Sequence, residues 1–307
     1  MTHRTQVVFL HGLNTHGDDL MRTGSRIWGR MDEWLIPPLT ARGLDVFSVN
    51  GIGYGTPESQ AEIAKREILR ALPEHSEFVL LGNSLGGLVA RVLEHDASLR
   101  SRVRGVLTWG TPHHGAPAAT PAVEWPSRHP WINTLSRAFG QDLIAKREAY
   151  EPYTPASLQD FNARFPATGI EHSFLCLVPA RDVLGVFWPI TGLVHEDGFT
   201  GAIRRWIIDD DFAPSDGFIP RASQAFGQIH GPFALDHFVQ IGMIHLYKSA
   251  SRRAKAQREF ARLCDALADV AKLLANSAEP QSHVTDNATG DSSGQATRLA
   301  STGRASI

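Results

Sequence analysis

The sequence predicts an α/β fold with a mostly parallel central sheet flanked by helices on both faces. Short apolar runs alternate with longer amphipathic ones from the start: "QVVFL", "RIWGRMDEWLIPPL", "LDVFSV", "TPESQAEIAKREILRAL". The apolar runs are near-continuous rather than alternating, as they are in strands buried on both faces. The 307 residues, 42% hydrophobic and 20% charged, are ample for one large core.

The elements follow in chain order. A first strand covers "QVVFL", a helical pattern surrounds "RIWGRMDEWLIPPL", and "LDVFSV" is a second strand. The next helix announces its start, with Thr56 as cap, Pro57 in the first turn and Glu58 opposing the helix dipole. Then come the strand "FVLLG", the helix "SLGGLVARVLEHD" and the strand "VRGVLTWG". After "GTPHHGAP" the rhythm breaks. Residues 117–170 are rich in proline and aromatics, among them Trp125, Trp131, Phe139, Tyr150, Tyr153 and Phe161, and read as an inserted helical cap or lid. The sheet resumes with "SFLCLV" (173–178), followed by a second insert at about 183–212 containing Phe187, Trp188 and Trp206. A last strand is expected near "FGQIHG", and a helical pattern from "HFVQIGMIHLY" to about Ala275. Residues 1–275 thus read as one domain. Residues 276–307 hold almost no large apolar side chain and are expected to be a disordered tail.

Composition narrows the function. The net charge is −2, from 30 basic and 32 acidic residues, and no basic run interleaves with aromatics, so a nucleic-acid partner is not expected. No stretch of about 18 apolar residues is present to span a membrane. The opening "MTHRTQVVFLHG" enters a strand-like run within a few residues and carries no signal-peptide pattern, which makes the cytoplasm the expected location. Cys176 and Cys264 lie in apolar runs and are expected as buried free thiols.

"GNSLGG" (Gly82 to Gly87) follows a strand and precedes a helix, the context in which G-x-S-x-G identifies a nucleophile elbow. Ser84 then needs an unusual backbone conformation, and Gly82 and Gly86 keep strand and helix from colliding beside it. Its hydroxyl stands at a helix N-terminus, where backbone N–H groups favour developing negative charge. A serine also needs a base, and its tetrahedral adduct needs donors. His11 and Gly12 end the first strand, so the N–H groups of Leu13 and Leu85 are the expected oxyanion donors. His11 orders the loop, or simply caps the strand end.

Four segments together resemble α/β-hydrolases, and specifically bacterial serine lipases and carboxylesterases: "FLHGL" after the first strand, "GNSLGG" at the elbow, "GTPHHGAP" after the following strand, and "SDGFIP" at Ser215 to Pro220. The resemblance spans roughly residues 6–250. It implies a nucleophile, acid and histidine in that chain order. Asp216 in "SDGFIP" is the favoured acid, on the match of the whole segment and on its spacing from the histidine. Asp182 in "LVPARD" is the alternative, because it directly follows a strand. His237 in "FALDHFVQIG" is the expected base, with His230 on the last strand as its rival. His113 and His114 come too early in the chain for that role; they brace the floor of the site or are ordinary loop histidines.

The resemblance implies acyl transfer through an acyl-enzyme on Ser84. The substrate class is a small-molecule or lipid ester. An acyltransferase, or a hydrolase of thioesters, amides or polyesters, would share these residues, and a non-catalytic binding protein on the same fold is the alternative of another class. Related lipases often hold calcium through an aspartate two positions after the histidine, where this chain has Val239. The acidic run Asp209 to Asp211 reads as a solvated loop, and His11, His16 and Asp18 are spaced loosely for zinc. No metal and no cofactor are expected. The aromatics of the two inserts suit an apolar acyl pocket, or small cores of the inserts themselves. Oligomeric state is not encoded in any motif.

Overall fold

The computed structural model describes residues 5–12, 34–49, 55–116, 119–131, 133–134, 144, 147–178, 215–247 and 249–277. Within them, six strands form one sheet: β1 (Thr5–Leu10), β2 (Leu44–Ser48), β3 (Phe78–Asn83), β4 (Val103–Trp109), β5 (Glu171–Cys176) and β6 (Gln228–Phe233). Their order is β2-β1-β3-β4-β5-β6, and every neighbouring pair is parallel. Eight helices accompany them: α1 (Ile36–Ala41), α2 (Pro57–Ala71), α3 (Leu85–His95), α4 (Ala119–Arg128), α5 (Arg147–Tyr150), α6 (Pro155–Arg164), α7 (Arg221–Gln224) and α8 (Ala250–Asn276).

Period-two side-chain alternation divides the core into two layers. On one face Val7, Phe9, Leu81 and Trp109 pack with Leu39 of α1 and Leu263, Leu267 and Ala271 of α8. On the other, Val8, Leu10, Leu80 and Val106 pack with Ile68 of α2, Leu88 and Val89 of α3, and Leu158 and Phe161 of α6. Each fully buried Leu or Val contributes about 1.5–3 kcal/mol, so strands apolar on both sides hold both helix layers. The expected helix start at α2 is present: Thr56 Oγ1 accepts from Ser59 N at 3.2 Å.

Three boundaries differ from the sequence expectation. β5 runs over 171–176 rather than 173–178, because polar residues at its start are satisfied inside: Glu171 accepts from Thr168 N and Gly169 N, and Ser173 Oγ donates to Phe226 O. The segment expected as a cap divides. Tyr153, Leu158 and Phe161 belong to the buried layer over the sheet, so α6 is a crossover helix rather than part of a lid. The helical pattern from His237 resolves into two 3-10 turns, 239–241 and 244–246, before α8 begins at Ala250. Gly242, at φ 92°, ends the first turn. The second insert and the tail expected from residue 276, past Ser277, lie outside the described residues. Cys176 and Cys264 are buried free thiols. No described helix is long and apolar enough to cross a membrane.

Candidate active site

Ser84 sits where β3 turns into α3, with φ 53° and ψ −124°, the one non-glycine residue with positive φ among the described residues. Such a conformation costs about 1–3 kcal/mol and persists only where neighbours impose it. They do so here. Ser84 N donates to Trp109 O at 3.0 Å, and Asn83 Nδ2 donates to the same carbonyl at 3.3 Å. A Cβ on Gly86 would lie 2.0 Å from Leu10 O, and one on Gly82 would lie 2.4 Å from Gly87 Cα. The turn can be this sharp only because both positions lack side chains.

Gly12, at the end of β1, approaches just as closely: a Cβ there would lie 2.9 Å from Ser84 Cβ. His11 is buried, and its Nδ1 donates to Gly12 O at 2.8 Å, which ties the ring to the loop. Leu85 opens α3, so its N–H is among those that a helix leaves without an intrahelical partner. Leu13, the other expected donor, lies outside the described residues, as do His16, Asp18, Asp182 and Asp209 to Asp211.

The carboxylate arrives from a tight turn after β5. Val178 bridges to Ser215, Ser215 bridges to Pro220, and Gly217, at φ 99°, turns the chain between them. Asp216 is fully buried inside this turn. Its Oδ1 accepts from Phe218 N at 3.0 Å and Ile219 N at 2.7 Å. Its Oδ2 accepts from His237 Nδ1 at 2.8 Å and Gln240 Nε2 at 3.0 Å. Donors on both oxygens suit an ionised, acceptor-only carboxylate.

His237 follows the bend after β6, and its backbone N donates to Asp216 O at 2.9 Å. Its Nε2 lies 3.2 Å from Ser84 Oγ. The side chain of Phe218 flanks the imidazole, with ring centroids 5.4 Å apart. The structure therefore brings Ser84, His237 and Asp216 into one hydrogen-bonded line.

The other histidines lie elsewhere. His230, on β6, faces His172 Nδ1 through its Nε2 at 2.9 Å and stacks on Phe174 at 4.6 Å; burial lowers the basicity of both histidines. His113 is buried, with Nε2 at 3.0 Å from Thr108 Oγ1 and its ring stacked on Phe226 at 4.7 Å. Burial first, then the nearby Arg91 cation, holds His113 well below the ordinary histidine range, in its neutral form. His114 N donates to Ser223 Oγ at 3.2 Å.

Sequence reasoning missed Gln240 and Asp236. Both are fully buried. Asp236 Oδ1 accepts from Phe238 N and Val239 N, and its Oδ2 accepts from Tyr247 Oη, so it shapes the turn that carries His237. Gln240 belongs to the 3-10 turn that follows His237, and no local sequence signal marked it. Among the described residues no group of three or more His, Cys, Asp or Glu side chains could hold a metal ion.

A sequence model of the alpha/beta hydrolase family matches residues 7–246. The chain belongs to that family. Among solved structures, this alpha/beta hydrolase is similar to the Staphylococcus hyicus lipase, with a TM-score of 0.59 at 13% identity, covering 89% of this chain and 97% of that one. It is also similar to the mature Bacillus licheniformis lipase, with a TM-score of 0.53 at 20% identity over 78% and 86%. A metagenomic carboxyl esterase gives a TM-score of 0.55 at 18% identity over 87% and 77%. At these identities the likeness is one of fold. No curated protein sequence matches the chain significantly.

Proposed function

We propose that the protein is a serine hydrolase of carboxylic esters in which Ser84, His237 and Asp216 act together. The observation that carries this reading is the unbroken line from Ser84 Oγ to His237 Nε2 at 3.2 Å and from His237 Nδ1 to Asp216 Oδ2 at 2.8 Å. His237 Nε2 takes the proton from Ser84 Oγ as the oxygen attacks the ester carbonyl. Asp216 holds the imidazole with its proton on Nδ1 and stabilises the imidazolium that forms. His237 then gives the proton to the departing alcohol, and the acyl group stays on Ser84. Water, deprotonated by the same imidazole, releases the acid and restores the serine.

The N–H groups of Leu13 and Leu85 are the proposed donors to the oxyanion. Removing one such donor typically costs about 2.7–4 kcal/mol of transition-state stabilisation. The names of the structural neighbours, two lipases and a carboxyl esterase, favour an ester substrate. The aromatic face that Phe218 presents beside His237 suits an apolar group on that ester.

The test is hydrolysis of p-nitrophenyl esters from acetate to palmitate by the wild type and by Ser84→Ala, with and without a chelator. The reading requires activity that Ser84→Ala abolishes and chelation leaves unchanged. Folded wild type that cleaves no ester in the series would overturn it.

A further inference from the structure

Gln240 is a fully buried amide in contact with both His237 and Asp216. Its Nε2 lies 3.0 Å from Asp216 Oδ2 and 3.0 Å from His237 Nδ1. The amide is held in place from two sides. Its own backbone carbonyl accepts from the indole N–H of Trp109 at 3.3 Å. Its side chain lies flush on Gly110, where a Cβ would come within 2.4 Å of Nε2 and 2.7 Å of Oε1. Among the described residues Oε1 has no hydrogen-bond partner. The reverse orientation would set Oε1 against the Asp216 carboxylate oxygen, so Nε2 is the end that faces it.

The choice open to Nε2 decides the state of the imidazole. Donation to His237 Nδ1 would require that nitrogen to lack its proton; Nε2 of His237 would then carry the proton and could not receive one from Ser84. Donation to Asp216 Oδ2 is charge-assisted and stronger, and leaves Nδ1 with only the carboxylate to answer. We propose that Gln240 is a positioning residue: by donating to Asp216 Oδ2 it fixes the direction of the carboxylate and moderates its hold on the His237 Nδ1 proton, while Nε2 stays free to act as base toward Ser84. The inference rests on the proposed roles of those three residues, although its structural part can be read without turnover.

The experiment uses Gln240→Met, which removes the donor at similar volume, and Gln240→Glu, which keeps the side-chain shape. Rates are normalised to the Ser84 that a fluorophosphonate labels, so a smaller folded fraction does not count as slower chemistry. Gln240→Met should lower kcat on the order of tenfold with KM little changed, as loss of a hydrogen bond to a charged group does. The acid limb of its pH profile should move to higher pH, because a carboxylate with one donor fewer holds the imidazolium more tightly. Gln240→Glu supplies a donor only while the new carboxyl is protonated. Its rate should approach wild type at low pH and descend to the Met level as that group ionises, a limb absent from the wild type.

The His237 Nδ1–H proton resonance, followed against pH in each folded variant, gives the same answer without substrate. A displaced titration in Gln240→Met, or in Gln240→Glu if the Met variant does not fold, supports the proposal. An unchanged resonance and an unchanged pH profile overturn it, whatever happens to stability. Failure of the hydrolase reading looks different: the wild type itself would resist the fluorophosphonate and cleave no ester.

Discussion

His237 Nε2 stands 3.2 Å from Ser84 Oγ although 153 residues separate them in the chain. The parallel direction of the strands allows this: β3, which delivers Ser84, and β6, which leads to His237, both have their C-terminal ends at the same end of the sheet, where open α/β folds place their ligand sites.

Asp216→Asn should leave the turn intact and remove most of the rate. An asparagine retains the shape but not the charge that favours the Nδ1 proton, and in triads of this kind such a change lowers kcat on the order of ten-thousandfold. Asp182→Asn should leave kcat/KM unchanged. Steady-state kinetics of the two variants on one ester checks both; a large loss in Asp182→Asn alone would transfer the acid's role to that residue.

Gly86→Ala and Gly12→Ala should fail in different ways. At Gly86 the new methyl meets the backbone carbonyl of Leu10 inside the sheet, so the expected result is loss of folded protein. At Gly12 it meets Ser84 Cβ at 2.9 Å and Oγ at 3.3 Å, at the end of a strand. That variant should fold and lose turnover, because displacing a reacting atom by about 1 Å costs on the order of a hundredfold. Melting temperature and kcat, measured on both, separate the two outcomes.

Glu94 should make the wild type less stable as pH rises. Burial, reinforced by Glu171 and only partly offset by Thr168 and Arg91, pushes its carboxyl up to about 8 from an ordinary 4.5. The folded state therefore keeps a proton that the unfolded state has lost, and stability falls between those limits by at most about 1.4 kcal/mol per pH unit. Burial pushes Arg91 down to about 10, so it remains a cation throughout that window. Gln in place of Glu94 should match wild type below pH 4.5 and become progressively more stable than it toward pH 8. Urea titrations across that range test this; a stability difference independent of pH would rule out Glu94 as its source.

The sequence was legible where one physical demand acted alone. β1, β3 and β4 carry near-continuous apolar runs and α2 carries its cap, so period and capping identified them. Ser84 was singled out by the glycines of its elbow, and Asp216 and His237 by the resemblance of their segments and their spacing; the fold brings these three side chains within hydrogen-bonding distance. β5 was displaced by two residues because Glu171 and His172 look like loop and are buried with partners. Arg91 and Glu94 lie on an otherwise apolar helix, and nothing local in the sequence indicates that Asn162 and Thr168 come to meet them. Gln240 was hidden for the same reason: its role depends on Asp216 and Gly110, which only the folded chain brings together.

β6 ends the sheet order, pairs with β5 alone among the described residues, and leaves Ile229 54% exposed. An outermost strand with so little cover is where a sheet opens first, at a free energy below that of global unfolding. The bend that follows it carries His237, whereas Ser84 belongs to the interior pair β3 and β4. Warming should therefore separate base from nucleophile while most of the backbone signal survives, so that thermal inactivation runs ahead of melting and activity becomes the earliest report of damage to this protein.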